Sequence, residues 1–257
     1  SFVMMMEGLE FRDALEMLAK RAGVQLKPRS KNASVNQSKK VRLYEAVELA
    51  MRYYHYCLGR NKTAFDYFTK QRRLKPSTIR NFKLGYSPDG WENLKNFLFK
   101  KGFTQTEIKE AGLATNKPGS NSYYDVFRGR VMFPVFDAQN RPIGFSARIL
   151  GDQKAAKYIN SPQSLIYDKS TAIYGYAQAK EAIRVQEKAV LVEGNMDVLA
   201  LHDAGFQNVV ACSGTALTAQ QIKTLSYLTP NIYLCFDNDE AGFNATLRAI
   251  EIATGLD

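Results

Sequence analysis

The sequence predicts an α/β protein in which a parallel-sheet domain is preceded by a basic, mixed α+β section. Three observations predict it. The last third alternates between continuously apolar runs of strand length and helical stripes, the pattern of a parallel sheet covered on both faces. The stretch before it combines short amphipathic helices with one hairpin pattern. Charge divides along the same line, since residues 1–150 carry 27 basic and 13 acidic side chains, or +14, whereas residues 151–257 carry 8 and 12, or −4. With 257 residues and 45% apolar composition, the chain can bury one large core or two modest ones.

The elements follow in order. Phe11, Ala14, Leu15 and Leu18 recur at helical spacing before Gly23, which predicts a short helix over 9–21. Residues 27–40 have no apolar face and are rich in Ser, Asn and Lys, so they are expected to form a flexible linker. Leu43, Ala46, Val47, Ala50, Met51, Tyr54, Cys57 and Leu58 form a four-turn helical stripe ending at Gly59. Asp89 with Glu92, and Thr104 with Glu107, have capping-box spacing, and Gly102 and Gly112 fall where each short helix would stop. From about Tyr123 the period changes. Residues 130–137 and 141–150 flank a turn-prone Ala-Gln-Asn and predict a β-hairpin, with Pro134 at an edge or bulge.

Beyond it, strands are predicted at 189–192, 209–212 and 232–236. Helices follow each, from Met196 to Ala204, from the Thr218/Gln221 cap to Leu228, and from Ala241 to Ala253. No apolar run approaches the roughly 20 residues of a membrane-spanning helix, and the chain reads as cytoplasmic, with no membrane partner. Cys57, Cys212 and Cys235 are odd in number and widely spaced, which argues against a disulfide framework and for small core residues.

The placement of carboxylates carries the chemistry. Glu193 directly follows the first strand of the last third, and Asp237 and Asp239 directly follow the third, so all lie at the carboxyl ends of parallel strands, where open α/β sheets bind ligands. Asp237 and Asp239 project to one side of extended backbone. Three such negative charges in proximity call for a neutraliser, and Mg²⁺ or Mn²⁺ is suited to all-oxygen ligands and to phosphates. A hydrated cation beside a basic surface implies phosphoryl or nucleotidyl transfer. The plainer alternative is that Asp237 and Asp239 only cap the last helix.

These residues resemble a family. Glu193-Gly194-x-Met196-Asp197, residues 214–218 (Gly-Thr-Ala-Leu-Thr) and Phe236-Asp237-x-Asp239-x-Ala241-Gly242, in this order and spacing, are similar to the Toprim domain of DnaG-type primases. Upstream, residues 127–134, 144–148 and 157–162 resemble the basic subdomain that precedes it, so the resemblance covers essentially the whole chain. It implies a Toprim-like parallel-sheet α/β domain over 173–257, truncated at its C-terminal end, and a basic mixed α+β subdomain over 41–172. Residues 1–26 would be the helix left from the end of a zinc-binding domain, followed by the 27–40 linker. Any Zn²⁺ would belong to that missing domain.

By the resemblance, Glu193, Asp237 and Asp239 are catalytic and bind two or three Mg²⁺ or Mn²⁺ ions, and Asp197 supports them from the following helix. The sequence departs from the family at Asn195, where an aromatic residue is usual, and at Asn238, where glycine is usual. A further acidic pair of the family has no counterpart here, which implies an incomplete metal site.

Arg80, Arg128, Arg130, Arg148, Lys157 and Lys169 recur among tyrosines and phenylalanines between 78 and 170, as a groove for single-stranded template or nucleotide phosphates needs. Alternation along 141–150 turns Arg148 away from Phe145, Ala147 and Ile149. The resemblance assigns Arg80, Arg148, Lys157 and Lys169 to template or nucleotide contact. His55 and Cys57 lack a partner motif for zinc, His202 falls mid-helix, and no G-x-x-x-x-G-K-[ST] loop occurs.

The expected function is therefore the catalytic core of a bacterial replication primase. It would use single-stranded DNA and ribonucleoside triphosphates, with replicative helicase and single-strand-binding protein met through absent regions. The alternatives are a Toprim-type nuclease or topoisomerase subunit, and a non-catalytic nucleic-acid-binding scaffold.

Overall fold

The computed structural model describes residues 2–7, 11–24, 31–116, 119, 122–151, 155–212 and 217–255. Helices α1 (Phe2–Glu7), α2 (Phe11–Arg21), α3 (Lys31–Leu58) and α4 (Lys62–Asp66) lead to a π-helical turn (Tyr67–Gln71) and α5 (Pro76–Asn81). After β1 (Gly85–Ser87), α6 (Asn93–Lys100) and α7 (Gln105–Glu110) come β2 (Ala114–Asn116), β3 (Tyr123–Asp125), β4 (Arg130–Phe136), β5 (Pro142–Ile149) and β6 (Tyr158–Asn160). The last stretch is α8 (Tyr176–Gln186), β7 (Ala189–Val192), α9 (Asn195–Asp203), β8 (Val209–Ala211), α10 (Ala219–Ser226), β9 (Ile232–Cys235) and α11 (Glu240–Thr254). Two compact units result, one of Lys39–Lys169 and one of Ser170–Asp257 with Ser1–Ser38.

In the unit Lys39–Lys169, an antiparallel sheet of order β1-β4-β5-β6 is built on the predicted hairpin, with Arg130 opposite Ile149 and Phe136 opposite Pro142. β4 is an inner strand, yet β1 pairs only as far as Met132, so Pro134 costs no hydrogen bond to β1, and a bulge follows at Val135/Phe136. The stripe of α3 buries Leu43, Val47, Ala50 and Tyr54. The Tyr54 ring meets Phe145 edge-on at 5.4 Å, and Phe68 meets Phe133 at 5.9 Å. At Gly85 a side chain is excluded, because a Cβ would stand 2.7 Å from Tyr54 Cβ. His55 is structural, its Nδ1 lying 2.6 Å from the Leu84 carbonyl.

Two local expectations are corrected here. Residues 31–40 of the expected linker are helical, while 27–30 lie outside the described residues. Extending a helix costs far less than starting one, so the well-packed half of α3 carries its polar N-terminal turns. Lys39 to Glu110 at 2.6 Å and Arg42 to Glu107 at 2.7 Å hold the junction. The Thr104/Glu107 capping box forms as expected, but the Asp89/Glu92 box does not, since Glu92 sits at the N-cap of α6 without a side-chain cap bond. Asp125, on β3, replaces it, accepting the Leu94 and Lys95 amides at 2.8 and 2.9 Å.

Asp125 is only 2% exposed, and this burial raises its carboxyl to about 6 against the opposing pull of the Lys95 and Leu94 amides. A raised folded-state value means the folded protein holds this proton more tightly than the unfolded chain. Stability from this group is thus complete below about pH 4 and falls as pH rises to about 6, by on the order of 3 kcal/mol. Asp125→Asn should flatten that interval of a urea-stability profile. An unchanged slope between pH 4 and 6 would exclude Asp125 as its source.

In the unit Ser170–Asp257, the sheet is parallel with order β8-β7-β9, Val190 lying opposite Val209 and Val192 opposite Cys235. α8, which the sequence reading did not single out, buries Tyr176, Ala179 and Ile183. The Thr218/Gln221 capping box opens α10. His202 is structural, its Nε2 lying 2.9 Å from the Val209 carbonyl and burial lowering its basicity.

The expectation of strands covered on both faces fails for β9, which lies at the sheet edge and leaves Tyr233 52% exposed. An apolar run shows that a strand is compatible with burial, whereas its position in the sheet decides whether both faces are covered. Cys235, on β9, is exposed for the same reason, whereas Cys57 on α3 is half-buried and Cys212 is buried, with its thiol pushed up to about 12.

Candidate functional site

The acidic loops begin with β7 and β9. These strands are neighbours and parallel, so their carboxyl ends emerge at one edge, and Glu193 and Asp237 leave it side by side. The Glu193 carboxylate accepts the Asp237 backbone N–H through Oε1 at 3.0 Å. Gly242, in the first turn of α11, lets the loops approach. A Cβ there would stand 2.1 Å from the Asp237 carbonyl oxygen and 2.9 Å from Glu193 Oε1. Asp239 is the N-cap of α11 and accepts the Gly242 N–H at 2.8 Å, while Asp197 accepts the Gly194 N–H at 3.0 Å and steadies the start of α9.

The capping role weighed for the aspartates is thus present at Asp239. Among the described residues, no group of three or more His, Cys, Asp or Glu side chains stands close enough to hold a metal ion. Glu193, Asp239 and Asp197 are each seated on a backbone amide, and Asp237 and Asp239 are exposed. The donor set nevertheless fits a hard divalent cation. It consists only of carboxylates at the open ends of adjacent strands, and Gly242 leaves vacant the volume beside Glu193 Oε1 that any side chain would fill. Residues 214–216 of the quoted motif lie outside the described residues.

The basic residues separate by environment. Arg80, Lys157 and Lys169 are exposed. Arg128 bonds the Asp125 carbonyl and lies over Trp91, 4.3 Å from that ring, and near Tyr124 at 5.0 Å. Arg130 differs from the expected ligand-binding arginine. It is 6% exposed, donates to the Ala156 and Lys157 carbonyls at 2.9 and 3.4 Å, and is held below the usual guanidinium range by burial and then by Arg128. Its donors fix the backbone of residues 156–157, just ahead of β6. Arg128 and Arg130 line one open cleft of about 420 Å³ with Asp89, Trp91, Ala156 and Ile159.

Arg148 is half-buried, donates to the Tyr67 hydroxyl and lies 5.1 Å from that ring. Strand alternation did not show this, because β5 is covered on both faces as far as Ala147. Three residues of this region were missed in the sequence. Trp91, the chain's single tryptophan and 63% exposed, had its uniqueness as a signal. Tyr67 and Arg72 had none, since only the π-helical turn gives them a shared position.

A family model for the DNA primase catalytic core, N-terminal domain, matches residues 53–180, and a Toprim-like model matches 190–257. DNA primase of Deinococcus radiodurans is 40% identical over 255 residues, covering 99% of this chain and 43% of the relative. That of Synechocystis sp. is 38% identical over 260 residues, covering 98% and 41%. The chain thus spans about two-fifths of the length of these curated relatives.

Among solved structures, the Aquifex aeolicus primase with zinc-binding and RNA polymerase domains superposes with a TM-score of 0.78 at 35% identity, covering 98% of this chain and 60% of that one. The RNA polymerase domain of Mycobacterium tuberculosis primase DnaG gives 0.76 at 33%, covering 82% and 71%. A DnaG primase catalytic domain bound to single-stranded DNA gives 0.75 at 33%, covering 84% and 68%. With both sequence models in register and a solved polymerase domain matched over most of its length, the chain belongs to the DnaG primase family, as a catalytic-core segment with a Toprim α/β unit.

Proposed function

We propose that this chain is the catalytic-core segment of a bacterial DNA primase, a DNA-directed RNA polymerase that joins ribonucleoside triphosphates into a short RNA on single-stranded DNA. The observation that carries the reading is the Glu193 carboxylate on the Asp237 amide between adjacent parallel strands, with Gly242 keeping the space beside it open. Glu193, Asp237 and Asp239 would hold Mg²⁺ or Mn²⁺, which when bound stabilises charge on the attacking and leaving oxygens of nucleotidyl transfer.

In the reaction, a ribose 3′-hydroxyl attacks an α-phosphate and pyrophosphate leaves. Glu193 would take a proton in this step, and Asp197 would keep the head of α9, and with it the Glu193 loop, in position. Exposed Lys157, Lys169 and Arg80 supply phosphate contacts, Arg148 a further one, and Arg128 packed over Trp91 offers a charged face and a flat ring to an unstacked base. Arg130 contributes by holding the 156–157 backbone. The solved relative bound to single-stranded DNA supports such a strand as a ligand. Helicase and single-strand-binding protein would be met through regions outside this chain, in the cytoplasm.

Supplying ribonucleotides, Mn²⁺ and a single-stranded template tests the reading. An oligoribonucleotide product is expected. A nicked or shortened template would instead indicate nuclease or topoisomerase chemistry, and DNA binding without any product at every metal concentration would indicate a scaffold.

A further inference from the structure

The π-helical turn Tyr67–Gln71 stands beside the sheet of the basic unit and has no part in the roles assigned above. A π-turn holds one more residue per turn than an α-helix and persists where something offsets its poorer geometry. Here it seats Tyr67, 4% exposed, with the ring edge-on to Phe68 at 5.3 Å. Two cationic side chains converge on its hydroxyl, since Arg72 Nε donates to the oxygen at 3.0 Å and Arg148 Nη1 donates to it from β5. Both guanidinium groups also flank the ring, at 5.3 and 5.1 Å from its centre. Arg148 lies 5.9 Å from the Tyr158 ring as well, while its Nε is buried without a hydrogen-bond partner among the described residues.

Two positive charges sharing one neutral acceptor repel each other unless an anion joins them. An unsatisfied buried Nε on one of them is a second cost that an acceptor would remove. With its oxygen accepting from both arginines, Tyr67 can offer a ligand only its own O–H. Arg72, Tyr67 and Arg148 together therefore present donors without acceptors, which is the complement of a phosphate group.

We infer that Tyr67, set by the π-turn, is a positioning residue that aligns Arg72 and Arg148 as a two-arginine clamp for one phosphate of the nucleic-acid strand. The inference rests on the reading of Arg148 as a phosphate contact, and it adds that a neutral buried side chain governs whether that contact forms.

The test measures binding of a short single-stranded oligodeoxynucleotide to the 257-residue chain by fluorescence anisotropy across a KCl series. For single strands, each phosphate contact contributes about 0.7 to the slope of log K against log salt concentration. Arg148→Ala should lower that slope by about 0.7, a loss of one phosphate contact. Tyr67→Phe, which keeps the ring and removes no charge, should lower it by a similar amount, and the double variant should be no worse than Arg148→Ala alone.

A tyrosine that mattered only for packing would shift the unfolding midpoint and leave the salt slope unchanged. That result for Tyr67→Phe, alongside a lowered slope for Arg148→Ala, would overturn the inference. An unchanged slope for Arg148→Ala would overturn the phosphate reading beneath it. Should Tyr67→Phe fold poorly, Arg72→Gln provides the second variant, expected to lower the slope, and an unchanged slope there rejects the clamp.

Discussion

Asp237→Asn is expected to reduce primer synthesis by at least about a hundredfold, the scale on which removing one preorganised charge-stabilising group acts, while thermal stability stays within about 0.5 kcal/mol, as for an ordinary surface substitution. The structure gives reasons for both halves. The Asp237 side chain is exposed, and the bond that joins its loop to Glu193 uses the backbone N–H, which asparagine retains. What changes is one negative charge at the edge of the sheet.

Asp239 needs the same substitution for a different reason. As the N-cap of α11, it would cost about 1 kcal/mol as alanine, whereas asparagine caps as well as aspartate and separates the two roles. The measurements are ribonucleotide incorporation, Mn²⁺ binding by calorimetry, and oligonucleotide affinity. Synthesis and Mn²⁺ binding should fall together with DNA affinity nearly unchanged. Full synthesis by Asp237→Asn, or an equal loss of DNA affinity, would remove Asp237 from the metal-binding set.

Gly242→Ala should be nearly as damaging to synthesis, although no functional group is lost. Alanine is the better helix former by nearly 1 kcal/mol, so at an unobstructed position it would stabilise α11. Here the new methyl meets the Asp237 carbonyl oxygen at 2.1 Å, and that neighbour is backbone, which cannot rotate aside. The 237–239 loop must shift, and displacement by 1 Å near reacting atoms can cost on the order of a hundredfold. Gly255→Ala is the control, because its Cβ would meet nothing nearer than 3.5 Å. An active Gly242→Ala protein with a raised melting temperature would show that the approach of the two loops is dispensable.

Features that depend on neighbouring residues in the chain were legible in the sequence. The α3 stripe, the 130–149 hairpin, the Thr104/Glu107 and Thr218/Gln221 caps and the β7-β8-β9 alternation all arise from spacings of a few residues, and all formed. The placement of Glu193 and Asp237 at one edge of a parallel sheet was also legible, since a strand followed directly by a carboxylate fixes which end bears the charge. Side chains whose role is set by a distant partner were not. Arg130 and Lys157 look alike as basic residues among aromatics, yet one is buried against backbone carbonyls and the other is exposed. Asp125 caps α6 from 30 residues away, a distance at which no capping pattern can be recognised.

By itself, then, the sequence determined the order and kind of the elements and the residues able to carry charge to the sheet edge, because backbone periodicity and capping are local. Only the tertiary structure decided that β9 is exposed, that Arg130 is buried against backbone carbonyls, and that Tyr67 gathers two arginines. Burial and hydrogen-bond partnership are properties of what surrounds a side chain, and those surroundings come from segments the chain brings together only when it folds.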